Sequence, residues 1–484
     1  MGKPTGFMEY ERKNKGELSP EIRIQSFNDF HIPLDLQEQR QQASRCMSCG
    51  IPFCQSAMKV GNRNVGCPLS NLIPEWNHLI YLGLYEEAYK RLEATAPFPE
   101  FTGSVCPALC EAVCSCSIHG EAVGIKCNEL FLIEEAFKNG WIKPKMDILR
   151  NGRKAAVIGS GPAGLSCAKA LNRAGFTVTV YEKNDRFGGL LMYGIPNMKL
   201  EKQMIERRIR LLEEEGITFT ANTRIGTDIS VEALAEDFDE IIFACGTSMA
   251  RPLTCPNAEL KGILYAVDFL TQTTKDLLDN QPFLYDVKDK NVIIVGGGDT
   301  ANDCCGTAAR EKAKSITELE ITKEPPLENT NPWPYYPNGK KTDYGVAEAN
   351  AVMGKDIRRY QTTVDEIVGK DHIEGVYIKQ VEFKSGQGKT MIQDIPGTRE
   401  YLPCDVLIVA MGFLGTSPSD LEGYGLKGKQ NRPDLQGFRY SDKISVCGDM
   451  KNGQSLVVLA LKDGLDCACL LYTSPSQRDM RRSR

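Results

Sequence analysis

Two stretches of the chain share one hydrophobic signature: a short apolar run, a glycine-rich turn, a helical period and a second apolar run. They are Lys154 to Glu182 and Asn291 to Ile321. Short continuous apolar runs suit strands buried on both faces of a parallel sheet, and the order is that of a βαβ unit. Residues 1–150 differ, with helix-like segments such as Leu82 to Ala94 and Glu129 to Gly140 and little strand alternation. The pattern predicts an α/β chain in which an N-terminal helical domain (1–150) precedes two nested Rossmann-like dinucleotide-binding domains. The second unit is expected as an insert over 256–415, leaving 151–255 and 416–469 to form the other. Pro325 to Pro337 reads as an ordered loop. From Leu470 to Arg484 the apolar period is lost and four arginines enter, which predicts a divergent, disordered tail (470–484).

The first unit reads Ala155-Ala156-Val157-Ile158-Gly159-Ser160-Gly161-Pro162-Ala163-Gly164. Gly159 suits a tight turn, Gly161 a close backbone approach to a pyrophosphate, and Gly164 the contact between helix and strand. Pro162 and Ala163 open the helix, whose N-terminus offers free N–H groups and a partial positive charge. The strand Thr177 to Tyr181 ends at Glu182, a suitable distance on for ribose hydroxyls. The second unit, Val292 to Ala301, repeats these mechanics with Gly296, Gly298, Asp299, Thr300 and, in the third small position, Ala301. A structural glycine turn is the alternative for either fingerprint alone. Strand, fingerprint, helix, second strand and terminal acid in order favour dinucleotides. Two sites imply two cofactors, and a flavin with a nicotinamide is the usual pair for hydride transfer.

Composition adds one anomaly. A chain of 484 residues with 42% hydrophobic and 25% charged positions is ordinary for two or three globular domains, and a net charge of -5 gives no basic footprint for nucleic acid. No apolar run approaches the ~20 residues of a membrane span, and Met1 to Thr5 lacks a signal-peptide layout, so a cytoplasmic location is expected. Yet there are 18 cysteines, nine of them between Cys46 and Cys127. Disulfide scaffolds belong to short secreted chains, whereas clustered thiols in a long chain fit metal or metal–sulfide ligation. Cys167, Cys245, Cys304, Cys305 and Cys447 lie in apolar or glycine-rich runs and read as small buried hydrophobes.

The clustered thiols run Cys46-x2-Cys49-x4-Cys54, then Cys67-Pro68, then Cys106-Pro107-x2-Cys110-x3-Cys114. Soft thiolates suit iron–sulfur clusters and zinc alike. No cysteine pair with four residues between them follows Glu182, so a redox disulfide is not expected. A flavin without one needs one-electron acceptors, and zinc cannot accept electrons. Clusters are therefore preferred. Seven cysteines is one short of two all-thiolate sites.

At the level of whole motifs, the two-site core resembles flavin-dependent pyridine-nucleotide oxidoreductases of the glutathione-reductase type. Ala244-Cys245-Gly246-Thr247 and Ala410-Met411-Gly412-Phe413 match the strand ends where that family crosses between its domains. Gly448-Asp449-Met450 is similar to the late Gly-Asp motif, whose Asp contacts the FAD ribityl chain. The helix after Gln454-Ser455-Leu456-Val457 would then aim its positive end at the isoalloxazine. Longer runs resemble the small (β) subunit family of bacterial glutamate synthase over about residues 1–467. They are Cys46 to Cys54, Gly66 to Leu69, Asn71 to Asn77, Phe98 to Gly103, Val105 to Pro107, Gly140-Trp141, Gly189 to Leu200, Asn331 to Pro334 and Gly412 to Gly415.

The resemblance implies that NAD(P)H reduces FAD by hydride transfer, and that electrons then pass through two 4Fe-4S clusters to a large (α) subunit. That partner carries FMN and a further cluster, and makes L-glutamate from L-glutamine and 2-oxoglutarate. By analogy with the related N-terminal part of dihydropyrimidine dehydrogenase, Cys46, Cys49, Cys54 and Cys114 would hold one cluster. Cys67, Cys106 and Cys110 would hold the other, with Glu129 as fourth ligand; the alternative for Glu129 is a solvated helix-face carboxylate. Cys116 and Cys127 are left as packing residues. Gly189, Leu190 and Asn197 are expected along the FAD, against the alternative of a buried structural turn.

No catalytic acid or base is named, because stacking a nicotinamide on a flavin with water excluded supplies most of the catalysis of hydride transfer. The donor stays open between NADPH, favoured on family grounds, and NADH. After the second fingerprint, Glu318 to Lys323 carries acids and no Arg pair. Arg310 or Lys314 would meet a 2′-phosphate or else form a solvated helix end. Two other readings remain: a related NAD(P)H-oxidising subunit serving another reductase or ferredoxin, and a zinc-stabilised binding module.

Overall fold

A computed structural model describes residues 3–386 and 389–473. Its frame is two five-stranded sheets, all parallel. The first has the spatial order Ile444–Val446, Glu240–Phe243, Lys154–Ile158, Thr177–Tyr181, Thr218–Thr220. The second has the order Ile263–Tyr265, Val406–Val409, Asn291–Val295, Ser315–Glu320, Arg358–Tyr360. The chain thus leaves the first sheet, builds the second, and returns to add Ile444–Val446. Ala155 to Ile158, Val292 to Val295 and Val406 to Val409 are all buried, as strands covered on both faces must be. A four-stranded antiparallel sheet drawn from residues 362–403 completes the inserted half.

Helix Pro162–Arg173 starts on a proline, which is tolerated because the N–H it lacks would have had no partner in the helix. The terminal helix, Val457–Thr473, lies against it backbone to backbone. A Cβ added at Gly464 would stand 2.1 Å from the Ala163 carbonyl oxygen, and Ser166 Oγ donates to the Leu461 carbonyl at 2.9 Å. This last helix continues through residues 470–473, where a disordered tail was expected. The rest of that tail, 474–484, lies outside the described residues.

The N-terminal part is mainly helical, with Leu36–Ser44, Ile73–Leu82, Tyr85–Glu93, Pro99–Val105, Leu109–Ala112 and Ile125–Lys138 as its main elements. A capping box starts Leu36–Ser44: Asp35 accepts from the Glu38 backbone and Glu38 from the Asp35 backbone. These helices do not close a core of their own. Cys46, Trp76, Phe98, Phe101 and Leu132 belong to one continuous apolar core with Val157, Leu165, Leu191 and Leu461. Two buried polar contacts cross the same boundary: Lys169 Nζ donates to the Pro97 carbonyl at 2.8 Å, and Arg208 pairs with Glu100. Among the described residues no helix is long and apolar enough to cross a membrane.

Candidate functional site

At the carboxyl edge of the first sheet, strand Lys154–Ile158 opens into Gly159-Ser160-Gly161 before the helix begins. A Cβ added at Gly161 would meet no atom within 4 Å, so the turn leaves clear space before a helix end whose first N–H groups have no partner within the helix. Glu182 is buried at the end of the next strand. Its carboxylate accepts from Ser160 N at 3.1 Å, Ser160 Oγ at 2.6 Å and Asn184 N at 3.0 Å. Ser160 Oγ in turn accepts from Gly188 N at 2.9 Å, drawing the Gly188-Gly189 segment onto the turn. Gly189 has φ +56°, and a Cβ there would stand 2.9 Å from Gly161 Cα; only glycine lets these two backbones meet. Leu190 beside it is 46% exposed, an apolar side chain left open on the rim.

Gly448 closes the far side of this space against Ala163, within helix Pro162–Arg173 next to Gly164. Burial raises the Asp449 carboxyl above its ordinary range, and Ser455 Oγ donates to it. Gln454 Oε1 accepts from Phe413 N at 2.9 Å, and Leu456 leads directly into the terminal helix. Asn197 bonds elsewhere: its Nδ2 donates to the Phe27 carbonyl at 2.9 Å and its Oδ1 accepts from Lys202 N at 3.1 Å. An open cradle at a helix N-terminus, with the buried Glu182 on one side and the half-buried Asp449 on the other, fits a flavin dinucleotide.

The second edge repeats the plan. Gly296 turns with φ +127°, and a Cβ at Gly298 would again meet nothing within 4 Å. Asp299 and Thr300 then start helix Asp299–Arg310, with Ala301 fully buried. The Glu320 carboxylate, at the end of strand Ser315–Glu320, stands against Gly297.

Arg310 corrects the sequence expectation on both counts. It is neither a 2′-phosphate contact nor a solvated helix end. Its side chain is fully buried, donating to the Ser26 carbonyl at 2.9 Å, the Gly306 carbonyl at 3.0 Å and Glu348 Oε1 at 3.1 Å. Arg23 Nε pairs with the same Glu348 at 2.6 Å. The charge is neutralised and the donors are used. Lys314 is exposed.

The cysteines gather as two groups. Cys46, Cys49, Cys54 and Cys114 line one partly open cavity, Cys49 half-buried at it, together with Asn77 and Cys116. Cys67, Cys106 and Cys110 form the second, each thiol within electrostatic reach of Glu129. Glu129 is not a solvated helix-face carboxylate: it is buried, pushed up to about 7 by desolvation, and accepts from Thr102 Oγ1 at 2.6 Å.

Burial likewise pushes Cys46 up to about 11, Cys67 to about 12 and Cys106 to about 11, raises Cys54 further, and holds Cys110 well above the ordinary thiol range. Main-chain N–H groups oppose it, from Ser48 toward Cys46, from Leu69 and Asn71 toward Cys67, from Ala108 and Leu109 toward Cys106, and from Val123 toward Cys114. Such thiols ionise readily only beside a cationic centre, and N–H donors aimed at sulfur suit an iron–sulfur cluster. A hydrogen bond between Cys114 and Cys116 lowers the first and raises the second, and Cys116 Sγ also reaches the Arg45 carbonyl at 3.5 Å. Among the described residues, no three His, Cys, Asp or Glu side chains are gathered as a single-ion site.

Sequence reasoning missed the buried amides beside the first group: Gln39, Asn77 and Asn128. Asn77 closes a run that carries the family resemblance, but nothing local to that run says its amide faces cysteines. The sequence pattern likewise assigns no role to Ser160, inside the first fingerprint.

A family model described as pyridine nucleotide-disulphide oxidoreductase matches residues 153–464, and one described as dihydropyrimidine dehydrogenase domain II, 4Fe-4S cluster, matches residues 23–141. The glutamate synthase (NADPH) small chain of Bacillus subtilis is 43% identical over 480 residues, covering 97% of this chain and 97% of that protein. The glutamate synthase (NADH) of Saccharomyces cerevisiae is also 43% identical, over 96% of this chain but 22% of its own length. The solved structure of Mycobacterium tuberculosis FprA in complex with NADPH has a TM-score of 0.53 at 20% identity, over 68% of this chain and 85% of FprA, a likeness of fold alone. Near-complete alignment at 43% identity, together with the two family models, places the chain: it belongs to the glutamate synthase small-chain family, NAD(P)H-dependent oxidoreductases with an N-terminal 4Fe-4S domain.

Proposed function

We propose that this chain is the electron-input subunit of a glutamate synthase. FAD is held by residues 151–255 and 416–469, through Gly159, Gly161, Pro162, Ala163, Gly164, Glu182, Gly189, Leu190, Gly448, Asp449, Ser455 and Leu456, with Gln454 fixing the strand-end loop at Phe413. NAD(P)H is held by residues 256–415, through Gly296, Gly298, Asp299, Thr300 and Ala301. Two 4Fe-4S clusters occupy residues 1–150, one on Cys46, Cys49, Cys54 and Cys114, the other on Cys67, Cys106, Cys110 and Glu129. The partner is a large glutamate synthase chain. Bound there, FAD takes hydride from NAD(P)H and the clusters carry single electrons onward to glutamate formation, which is the chemistry those groups supply.

The observation that carries this reading is the shared core: cysteines 46, 54, 67, 106, 110 and 114 lie in the same apolar core as the first fingerprint helix. One-electron transfer needs a short, dry path, and no solvent layer separates these elements. The chain's own part is otherwise to bind and orient. Glu182 and Ser160 hold the first turn in shape, Gly161 and Gly298 leave room for phosphates, and buried N–H donors support the thiolates.

Anaerobically isolated protein should contain flavin with iron and acid-labile sulfide, and should reduce an artificial acceptor with NAD(P)H. Mixed with a large chain it should form glutamate from glutamine and 2-oxoglutarate. Protein with neither iron nor sulfide would overturn the cluster assignment; a fully loaded chain that never supports glutamate formation would overturn the partner.

A further inference from the structure

Three amide side chains, each from a different helix, run in line toward the cavity bounded by Cys46, Cys49, Cys54 and Cys114. Gln39 lies on Leu36–Ser44, Asn128 on Ile125–Lys138 and Asn77 on Ile73–Leu82, with exposures of 1%, 0% and 0%. Gln39 Nε2 donates to Asn128 Oδ1, and Asn128 Nδ2 donates to Asn77 Oδ1 at 2.6 Å. Asn77 Nδ2 ends the run. It is buried, lacks any acceptor in the protein, and belongs to a residue that lines the cysteine cavity.

A buried donor left without an acceptor costs about 1–3 kcal/mol. Here the same residue is bonded to Asn128 at its other end, so the amide is held in place with its N–H pair unspent. The sense of the run follows from the charge it meets. Reversed, it would present a carbonyl oxygen to a ring of thiolates, which is repulsive; in the sense described it presents N–H.

We propose that Asn77 Nδ2–H donates to a sulfur of the cluster held by Cys46, Cys49, Cys54 and Cys114, oriented and polarised by Asn128 and Gln39, and thereby raises that cluster's reduction potential. The inference rests on the cluster assignment above. The reduced cluster is one charge more negative than the oxidised one, so an N–H donor stabilises the reduced form more. Donors in series strengthen one another in a low-dielectric interior. Asn77 would thus make this cluster a better electron acceptor than its thiolates alone provide.

The test uses anaerobic holoprotein made with asparagine carrying 15N in its side chain only. In the reduced wild-type protein, pulsed EPR should detect 15N coupled to a cluster, and Asn77→Leu should remove that coupling. In Asn77→Leu loaded to wild-type iron content, redox titration should find one cluster shifted to more negative potential and the other unmoved. Asn128→Leu leaves every cavity-lining residue in place and should shift the same cluster in the same direction, by less.

A wild-type cluster signal without 15N coupling overturns the proposal before any variant is made. Coupling that persists in Asn77→Leu overturns it too, as does an unchanged potential in either loaded variant. Wild-type protein without iron and sulfide would instead overturn the assignment beneath it.

Discussion

Arg208 Nη2 donates to Glu100 Oε2 at 3.1 Å with the two side chains 3% and 0% exposed, sealing an ion pair between the helical N-terminal part and the first-sheet half of the core. The guanidinium also lies over the Phe98 and Phe137 rings. Removing one partner leaves the other charged and dry. Arg208→Met or Glu100→Gln should each cost about 3–5 kcal/mol, while Arg208→Met combined with Glu100→Leu should recover most of the loss. Urea unfolding of the three variants measures this; additive losses in the double variant would show that the pair is not a unit.

Gly161→Ala should separate cofactor binding from folding. The added methyl meets no protein atom, so the melting temperature of flavin-free protein should stay within a degree or two. It fills the space proposed for the pyrophosphate, so FAD affinity should fall at least tenfold, or about 1.4 kcal/mol. Flavin titration and calorimetry on the same preparation read both effects.

Glu311 predicts a pH effect. Its carboxyl is buried and pushed up from 4.5 to about 8; one oxygen accepts from Thr273 Oγ1 at 3.1 Å and the other has no partner. The folded protein therefore keeps a proton that the unfolded chain releases. The stability this provides is complete below pH 4.5 and is lost as the pH rises through 8. Relative to Glu311→Gln, the wild-type protein should lose about 2–4 kcal/mol between pH 5 and 8. Parallel stability profiles of the two proteins across that range would refute it.

Iron content should divide the cysteines by group. Cys46→Ser or Cys67→Ser should each lower iron by about half, four of about eight atoms, if each set holds its own cluster. Cys116→Ser should leave iron unchanged, although Cys116 lines the same cavity as the first set. Iron and sulfide assays decide, and loss of iron in Cys116→Ser would make it a ligand.

Arg310→Met should weaken the fold and leave coenzyme choice alone. Glu348 would keep only Arg23 as a partner, and a cost of about 2–4 kcal/mol is expected for the broken buried network. The ratio of kcat/KM for NADPH to that for NADH should not move. A selective loss with NADPH would return Arg310 to the coenzyme site.

What could be read from the chain alone is what depends on near neighbours. Apolar runs of strand length, glycines at turn spacing and cysteines a few residues apart are local constraints, and they carried both fingerprints and the thiol-rich segment. The tail shows the limit of such reading: composition changes at Leu470, yet the helix continues through Thr473 because Leu471 is still buried against the core. Tertiary structure alone decided the rest. Arg310 is claimed by Glu348 on another helix, Glu129 is carried into the dry second thiol group, and Gln39, Asn128 and Asn77 align only when three helices pack. Burial sets the charge and the partner of each of these groups. Burial is a property of what the rest of the chain places around a side chain, which no local pattern encodes.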